Sequence, residues 1–166
     1  MGSSMFSYAI LIIVVFSFFA IYFLLNYFFY RRPWATGWIN RFYYKKEKIA
    51  AEKGRPRIIF AGGSTVLFSI QAKLVEEKIG ISAVNLGIAS GVQTDYLIYR
   101  LKKTIKEGDI VILPLEYSFL LYDGTPSVIK KDFVRTYDRK YFYKMPLTLH
   151  LQITMKSNFL KSLKDI

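Results

Sequence analysis

Residues 57–70, RIIFAGGSTVLFSI, decide the fold of this 166-residue chain. The β-branched and aromatic run at 58–60 is bounded by turn-forming residues, which predicts a buried strand. The two glycines at 62–63 let the backbone turn sharply, and an apolar pattern with helical spacing follows. We expect Ser64 or Thr65 to cap that helix. The turn therefore places a serine between the end of a strand and the start of a helix.

Apolar runs and amphipathic runs alternate after this turn. The predicted elements are strands at 57–61, 82–86 and 109–113 and helices at about 66–79 and 94–106. Right-handed crossovers between them give a parallel sheet whose three strands end at one edge. The loops that follow the strands, 62–65, 87–94 and 114–117, are expected to meet there. Open α/β sheets bind their ligands at this edge.

The N-terminal part of the chain predicts a membrane anchor. Residues 1–4 form a short tail, and residues 5–30 contain no charged side chain. This apolar run has the length of about 20 residues that a bilayer core requires of a helix. A cleaved signal peptide fits less well, because no basic residue precedes the apolar run. We therefore expect a single-pass protein of a cell membrane, with the lipid bilayer as a partner.

The formal charge of +12 is large for this length. Many of the basic residues lie at 31–54, directly after the apolar run, which indicates a basic juxtamembrane segment. This segment is either a helix near the membrane surface or a solvated linker. Attraction to anionic headgroups or to an anionic polymer explains the charge, so no nucleic-acid partner is expected. Taken alone, the charge bias places the following domain in the cytoplasm.

The cysteine and histidine content of the chain excludes several kinds of site. The chain contains no cysteine, which excludes disulfides, thiolate metal sites and cysteine nucleophiles. His150 is its only histidine, so a multi-histidine zinc site is excluded too. We interpret His150 as a helix residue rather than a catalytic base. No metal and no cofactor is expected.

Three sequence blocks carry a family resemblance. GGSTVLFSI at 62–70, VNLGIASG at 84–91 and DIVILPLEYS at 109–118 resemble, in order and spacing, the first three blocks of the SGNH (GDSL-type) esterases and acyltransferases. That family includes membrane-anchored relatives that act on cell-surface polymers. The resemblance implies an α/β domain over 55–166 with a three-layer flavodoxin-like parallel sheet, on the extracytoplasmic side of the membrane.

The first two blocks imply the nucleophile and the oxyanion donors. Ser64 matches the family nucleophile, flanked by Gly63 and Thr65 as substrate-binding residues, and its own N–H is one expected donor to the oxyanion. A glycine after the second strand supplies another donor. Gly91 matches it best, and Gly87 is the alternative.

The remaining matches are less regular. Asn85 matches a common asparagine at the end of the second strand and is expected to have a structural role beside the substrate. The third block of the family carries an asparagine donor, where this chain has Glu116 and Ser118. Ser118 can donate to the oxyanion, and Glu116 can act as a base for Ser64 or bind a sugar hydroxyl. Glu116 can also be a buried or turn carboxylate paired with a lysine or an arginine. Gln93 and Asp95 flank the second loop and are expected to cap the helix at 94–106.

The resemblance covers about residues 57–119, and the late Asp-x-x-His pair of the family does not occur in this chain. Two functions follow. One is a membrane-anchored esterase or O-acyltransferase-related protein that acts on cell-envelope polysaccharide or a similar acylated substrate, with a polysaccharide or an acyl donor protein as partner. The other is an inactive or truncated module for binding or assembly at the membrane. A nucleotide-binding domain is disfavoured, because residues 62–65 lack a spaced third glycine and no Walker lysine follows.

Overall fold

A long apolar helix, α1 (Gly2–Phe29), begins the chain. The computed structural model describes residues 2–29 and 36–155. Within α1, Ser7–Leu25 has a mean hydropathy of 2.7, so this helix has the length and composition of a membrane span or a signal sequence. The predicted N-terminal apolar helix is confirmed at this level.

The second helix, α2 (Gly37–Glu52), is built into the fold despite its charge. Its side chains Ile39, Tyr43 and Ala50 are buried, at positions that recur on one face of a helix. This packing excludes a solvated linker over these residues, and the predicted helix is confirmed; its position near a membrane surface stays a prediction. The core therefore reaches back to α2, before the boundary that the sequence predicts at residue 55.

Three parallel strands form one sheet. The central strand β1 (Arg57–Phe60) pairs with β2 (Ser82–Asn85) on one side and with β3 (Ile110–Ile112) on the other. The predicted strands and their parallel α/β arrangement are confirmed, with slightly shorter ends. Because all three strands run in the same direction, their carboxyl ends lie at one edge of the sheet.

Short helices connect and follow these strands. They are α3 (Ser64–Ser69), α4 (Ala72–Ile79), a 3₁₀ turn (Ser90–Val92), α5 (Thr94–Thr104), α6 (Tyr117–Leu120), α7 (Val128–Tyr137), α8 (Arg139–Lys144) and α9 (Leu147–Met155). The helix predicted at 66–79 is thus two helices. The break has a physical cause, because the Asn85 side chain donates hydrogen bonds of 2.8 Å to the carbonyl oxygens of Val66 and Ile70. The Ile70 carbonyl is thus satisfied without a continuing helix, while the Val66 carbonyl also accepts the N–H of Ile70 at 3.3 Å.

Apolar clusters lie on the two faces of the sheet. On one face, Ile58 and Phe60 pack with Val66 of α3. On the other face, Ile59 packs in a cluster with Leu97 of α5 and other buried residues. A third, largely aromatic cluster joins α2 and α5 to α7, α8 and α9.

The outer strand β3 is only partly covered. Ile110 and Ile112 are 52% and 40% exposed. In the described ranges, β1 is the only strand that pairs with β3. One edge and part of one face of the sheet are therefore open to solvent.

Candidate active site

The three loops that follow the strands meet at the carboxyl edge of the sheet. The backbone N–H of Ile88 donates to the carbonyl of Gly62 at 3.1 Å, which joins the first loop to the second. A Cβ atom at Gly62 would lie 2.5 Å from Val66 Cγ2 and 3.0 Å from the carbonyl oxygen of Pro114. The first turn therefore needs glycine, because the Val66 side chain of α3 and the backbone of the third loop both lie against it.

Ser64 contacts Glu116 at this edge. The Ser64 hydroxyl donates to Glu116 Oε1 at 3.2 Å, and the backbone N–H of Thr65 donates to the same oxygen at 2.6 Å. A Cβ atom at Gly63 would lie 2.5 Å from that oxygen. The carboxylate thus sits against the first turn of α3, in a space that the absence of a side chain at Gly63 leaves open.

Glu116 also performs the capping role that the sequence assigns to Ser64 or Thr65. The N-cap position of α3 is Gly63, which has no side chain to cap with, and Ser64 is already helical. An orphan N–H of the first turn is instead satisfied by the carboxylate from the third loop. The predicted local cap is wrong, because a residue distant in the sequence reaches the same N–H.

The electrostatics of Glu116 follow from these contacts. Partial burial raises its pKa, but hydrogen bonds from Thr65, Ser64 and Ser90 outweigh burial and hold the pKa of Glu116 below its ordinary value of 4.5. The side chain is therefore an ionised acceptor at neutral pH. Within residues 36–155, no lysine or arginine forms a hydrogen bond or an ion pair with the Glu116 carboxylate.

The second loop is held by a polar network around Asn85. The Asn85 Oδ1 atom accepts from the N–H of Gly87 at 2.8 Å and from Lys46 Nζ at 3.1 Å. Lys46 also donates to the carbonyl of Gly87 at 2.6 Å. Since the Asn85 amide also binds the carbonyls at the end of α3, this residue ties the helix that carries Ser64 to the second loop.

Lys46 belongs to this network although the sequence analysis did not single it out. It lies in α2, and burial lowers its pKa to about 8. In the sequence it stands among Lys45, Glu47 and Lys48, and nothing in that charged run distinguishes it. Only the packing of α2 against the domain shows which lysine turns inward.

Gly87 lies against the backbone of α3. A Cβ atom there would come within 2.5 Å of the N atom of Leu67. Gly91 lies in the 3₁₀ turn, its carbonyl accepts from the Ser127 hydroxyl, and a Cβ atom there would meet the Ile129 side chain. The assignment of an oxyanion donor to Gly91 or Gly87 stays a prediction.

Ser118 and the residues after the second strand occupy other positions. The Ser118 side chain is exposed on α6, two residues beyond Glu116. Gln93 binds the loop before α7 through Thr125 and Ser127, while Asp95 accepts from the buried Lys130. Asp95 Oδ1 also accepts from the N–H of Tyr96 at 2.9 Å, so the carboxylate caps the first turn of α5 as predicted and binds α7 through Lys130. Gln93 occupies the N-cap position of α5 without a capping side-chain hydrogen bond, because its side chain binds the loop before α7.

His150 is placed away from these contacts. Its ring stacks on Phe142 at a centroid distance of 4.4 Å and contacts the Phe142 carbonyl, between α9 and α8. The described part of the chain contains no group of three or more His, Asp or Glu side chains that could hold a metal ion.

At the carboxyl edge of the parallel sheet, the Ser64 hydroxyl is thus hydrogen-bonded to the ionised carboxylate of Glu116. A carboxylate that accepts a hydrogen bond from a hydroxyl can take its proton when the hydroxyl oxygen attacks an electrophile.

Comparison of the chain with protein-family models, with curated proteins and with solved structures finds no match.

Proposed function

We propose that this chain is a membrane-anchored, SGNH-like esterase or O-acyltransferase-related protein with Ser64 as its nucleophile. The observation that carries the proposal is the hydrogen bond from Ser64 to Glu116 at the carboxyl edge of the sheet. The proposal includes a three-layer flavodoxin-like domain of the SGNH type. It also includes α1 as a permanent membrane span.

The proposed chemistry is acyl transfer. Ser64 Oγ attacks the carbonyl carbon of an ester while its proton passes to Glu116. The ester C–O bond then breaks, and the leaving alcohol takes that proton from Glu116. Water or a sugar hydroxyl then attacks the acyl-serine while its proton passes to Glu116. The bond between the acyl carbon and Ser64 Oγ breaks, and Oγ takes the proton back from Glu116, which restores the site.

The proposed substrate is acylated cell-envelope polysaccharide or a similar acylated compound, presented at the extracytoplasmic face of the membrane. An acyl donor protein is a further proposed partner. These assignments rest on the resemblance of residues 62–70, 84–91 and 109–118 to the SGNH blocks.

The second candidate is a non-catalytic module for binding or assembly at the membrane. One contact favours it: Glu116 already accepts the N–H of Thr65, beside the expected position of the oxyanion. A negative carboxylate there opposes a developing negative charge. In this alternative, the hydrogen bond between Ser64 and Glu116 has a structural role only, because it joins the first loop to the third.

An ester-hydrolysis assay separates the two candidates. The full chain, purified in detergent, is assayed with p-nitrophenyl acetate beside the Ser64→Ala variant. Ser69→Ala is the matched control, because Ser69 is an exposed serine of the same helix. The enzyme proposal expects hydrolysis that Ser64→Ala abolishes and Ser69→Ala retains. Equal rates in all three proteins would support the non-catalytic module.

A further inference from the structure

The outward side of α2 combines cations with aromatic residues. Arg41, Phe42, Tyr44, Lys45 and Lys48 are exposed there and together form the outer face of α2. The opposite stripe of the same helix is buried in the core. The helix therefore has one side that holds the domain together and another that remains available to a partner.

The charge of the outer face is strongly positive. It contains three cations, and one carboxylate of α2, that of Glu52, lies 3.8 Å from Lys48 at the end of the helix. The other acidic residue of α2, Glu47, is engaged with Arg100 instead, at 2.8 Å. This surface is complementary to an anionic partner.

The exposed side of α4 does not have the excess of positive charge found on the outer face of α2. There, Lys73 lies 3.8 Å from Glu77, and Glu76 and Lys78 follow the same mixed pattern. Cations and carboxylates are balanced along α4, whereas the outer face of α2 has an excess of cations.

Aromatic side chains on the outer face indicate what kind of anionic partner it fits. Tyr44 is 72% exposed and Phe42 is 39% exposed, and the Phe42 ring packs edge-on against Trp38 at 5.5 Å. Aromatic rings beside lysines and arginines are typical of helices that lie at the headgroup region of a bilayer. A soluble polyanion requires the cations but not the exposed rings.

The length of the chain keeps α2 near the membrane. The last residue of α1 is Phe29 and the first of α2 is Gly37, so eight Cα–Cα steps separate them. At about 3.8 Å for each step, the start of α2 lies within about 30 Å of the end of α1. A surface at this distance meets the headgroups at a high effective concentration.

We propose that the outer face of α2 docks on anionic lipid headgroups of the membrane that α1 spans. The inference rests on α1 as a membrane span, which is part of the proposed function, but not on any activity of Ser64. Lys46, on the inward side of the same helix, contacts the second loop of the candidate site. The docked helix thus separates the lipid surface from the candidate site by one layer of structure.

The experiment uses the full chain reconstituted in lipid nanodiscs. Since the chain has no cysteine, Tyr44→Cys and Lys73→Cys each provide one site for an environment-sensitive fluorophore. Lys73 is the matched control because its side chain on α4 is 88% exposed. Emission and quenching by nitroxide-labelled lipid are compared between nanodiscs with anionic lipid and nanodiscs of zwitterionic lipid alone.

The proposal expects a blue shift and lipid quenching at position 44 in anionic nanodiscs, and neither at position 73. Both effects should be lost when ionic strength rises from about 0.1 M to about 1 M, which shortens the Debye length from about 10 Å to about 3 Å. They should also be lost when Arg41, Lys45 and Lys48 are all replaced by glutamine in the Tyr44→Cys chain. Replacing Lys73 and Lys78 by glutamine should leave them unchanged.

Equal exposure of positions 44 and 73 in anionic nanodiscs would overturn the proposal. Quenching at position 44 that is independent of lipid charge would overturn the electrostatic part and leave only aromatic insertion. A chain that does not remain in nanodiscs would contradict the anchor. Esterase activity is measured on the same samples, so failure of docking and failure of the proposed reaction remain distinguishable.

Discussion

Thr65 and Glu116 are 51 positions apart in the sequence, yet the N–H of Thr65 donates to Glu116 Oε1 at 2.6 Å. The first turn of α3 is therefore capped by a carboxylate from the third loop, and the Ser64 hydroxyl binds the same oxygen. One side chain thus caps the helix that presents Ser64 and accepts the Ser64 hydroxyl, the contact on which its proposed role as a base rests.

These two roles of Glu116 are separated by two substitutions. Glu116→Gln keeps an acceptor oxygen for Thr65 but removes the base, so we expect ester hydrolysis to fall by about 10²- to 10⁴-fold with little change in stability. Glu116→Ala removes the cap as well and should cost about 1 kcal/mol in the free energy of unfolding. Steady-state kinetics and thermal unfolding of both variants provide the check. A glutamine variant faster than the wild type would show that the carboxylate obstructs the oxyanion position instead of assisting the reaction.

The pKa of Glu116 predicts the acid limb of the pH profile. Hydrogen bonds hold that pKa below 4.5, so the carboxylate stays ionised, and available for the proposed proton transfer, down to pH values below 4.5. The same depression means that its contribution to stability is present above the unfolded pKa and is lost as the pH falls through the folded pKa. We expect kcat/KM to decline only below pH 4.5. A decline centred near neutral pH would identify a different base.

Lys46 predicts a pH effect of the opposite sense. Its pKa is about 8 in the folded chain, against about 10.4 for an unperturbed lysine. Between these values the unfolded chain binds the additional proton, so stability rises with pH across that window. Lys46→Met removes this contribution, and wild type should gain thermal stability relative to the variant between about pH 8 and about pH 10. Lys45→Met, at an exposed neighbour, should follow the wild type. Parallel profiles of wild type and Lys46→Met would refute the buried-lysine interpretation.

A buried ion pair joins the amino ends of the neighbouring strands β1 and β3. Arg57, 2% exposed, donates to Asp109 through Nε at 3.0 Å and through Nη2, and it also binds the carbonyls of Ala50 and Thr104. Asp109→Ala leaves a buried guanidinium without its carboxylate and should cost about 3–5 kcal/mol in the free energy of unfolding. Glu107→Ala, at an exposed position two residues earlier, should change stability by less than about 0.5 kcal/mol. Denaturant titration in detergent measures both, and equal effects would show that the pair contributes nothing special.

The parallel sheet could be predicted from sequence because its strands are apolar runs separated by amphipathic segments. The meeting of the three loops followed from the topology alone. The role of α2 could not be predicted. Its buried residues Ile39, Tyr43 and Ala50 lie in a segment with a strong positive charge, and that charge indicates a segment outside the domain. The break between α3 and α4 was equally inaccessible, since no glycine or proline marks it and its cause is the distant Asn85.

For the candidate site too, some residues could be predicted from the sequence, but their contacts could not. The sequence predicts both Ser64 and Glu116 as site residues, because each follows a predicted strand at the same sheet edge. Their direct contact, and the capping of Thr65 by Glu116, depend on the path of the third loop over Gly63. Lys46 was missed because its inward orientation is set by tertiary packing and not by its neighbours in the sequence.

The central claim is that Ser64 is an activated nucleophile, and a fluorophosphonate probe tests it most directly. The full chain in detergent is treated with the probe and examined by intact mass, beside Ser64→Ala and Ser69→Ala. We predict a single adduct on the wild type and on Ser69→Ala that is absent from Ser64→Ala. A folded wild-type protein that remains unlabelled, or a Ser64→Ala protein that labels equally well, would contradict the account.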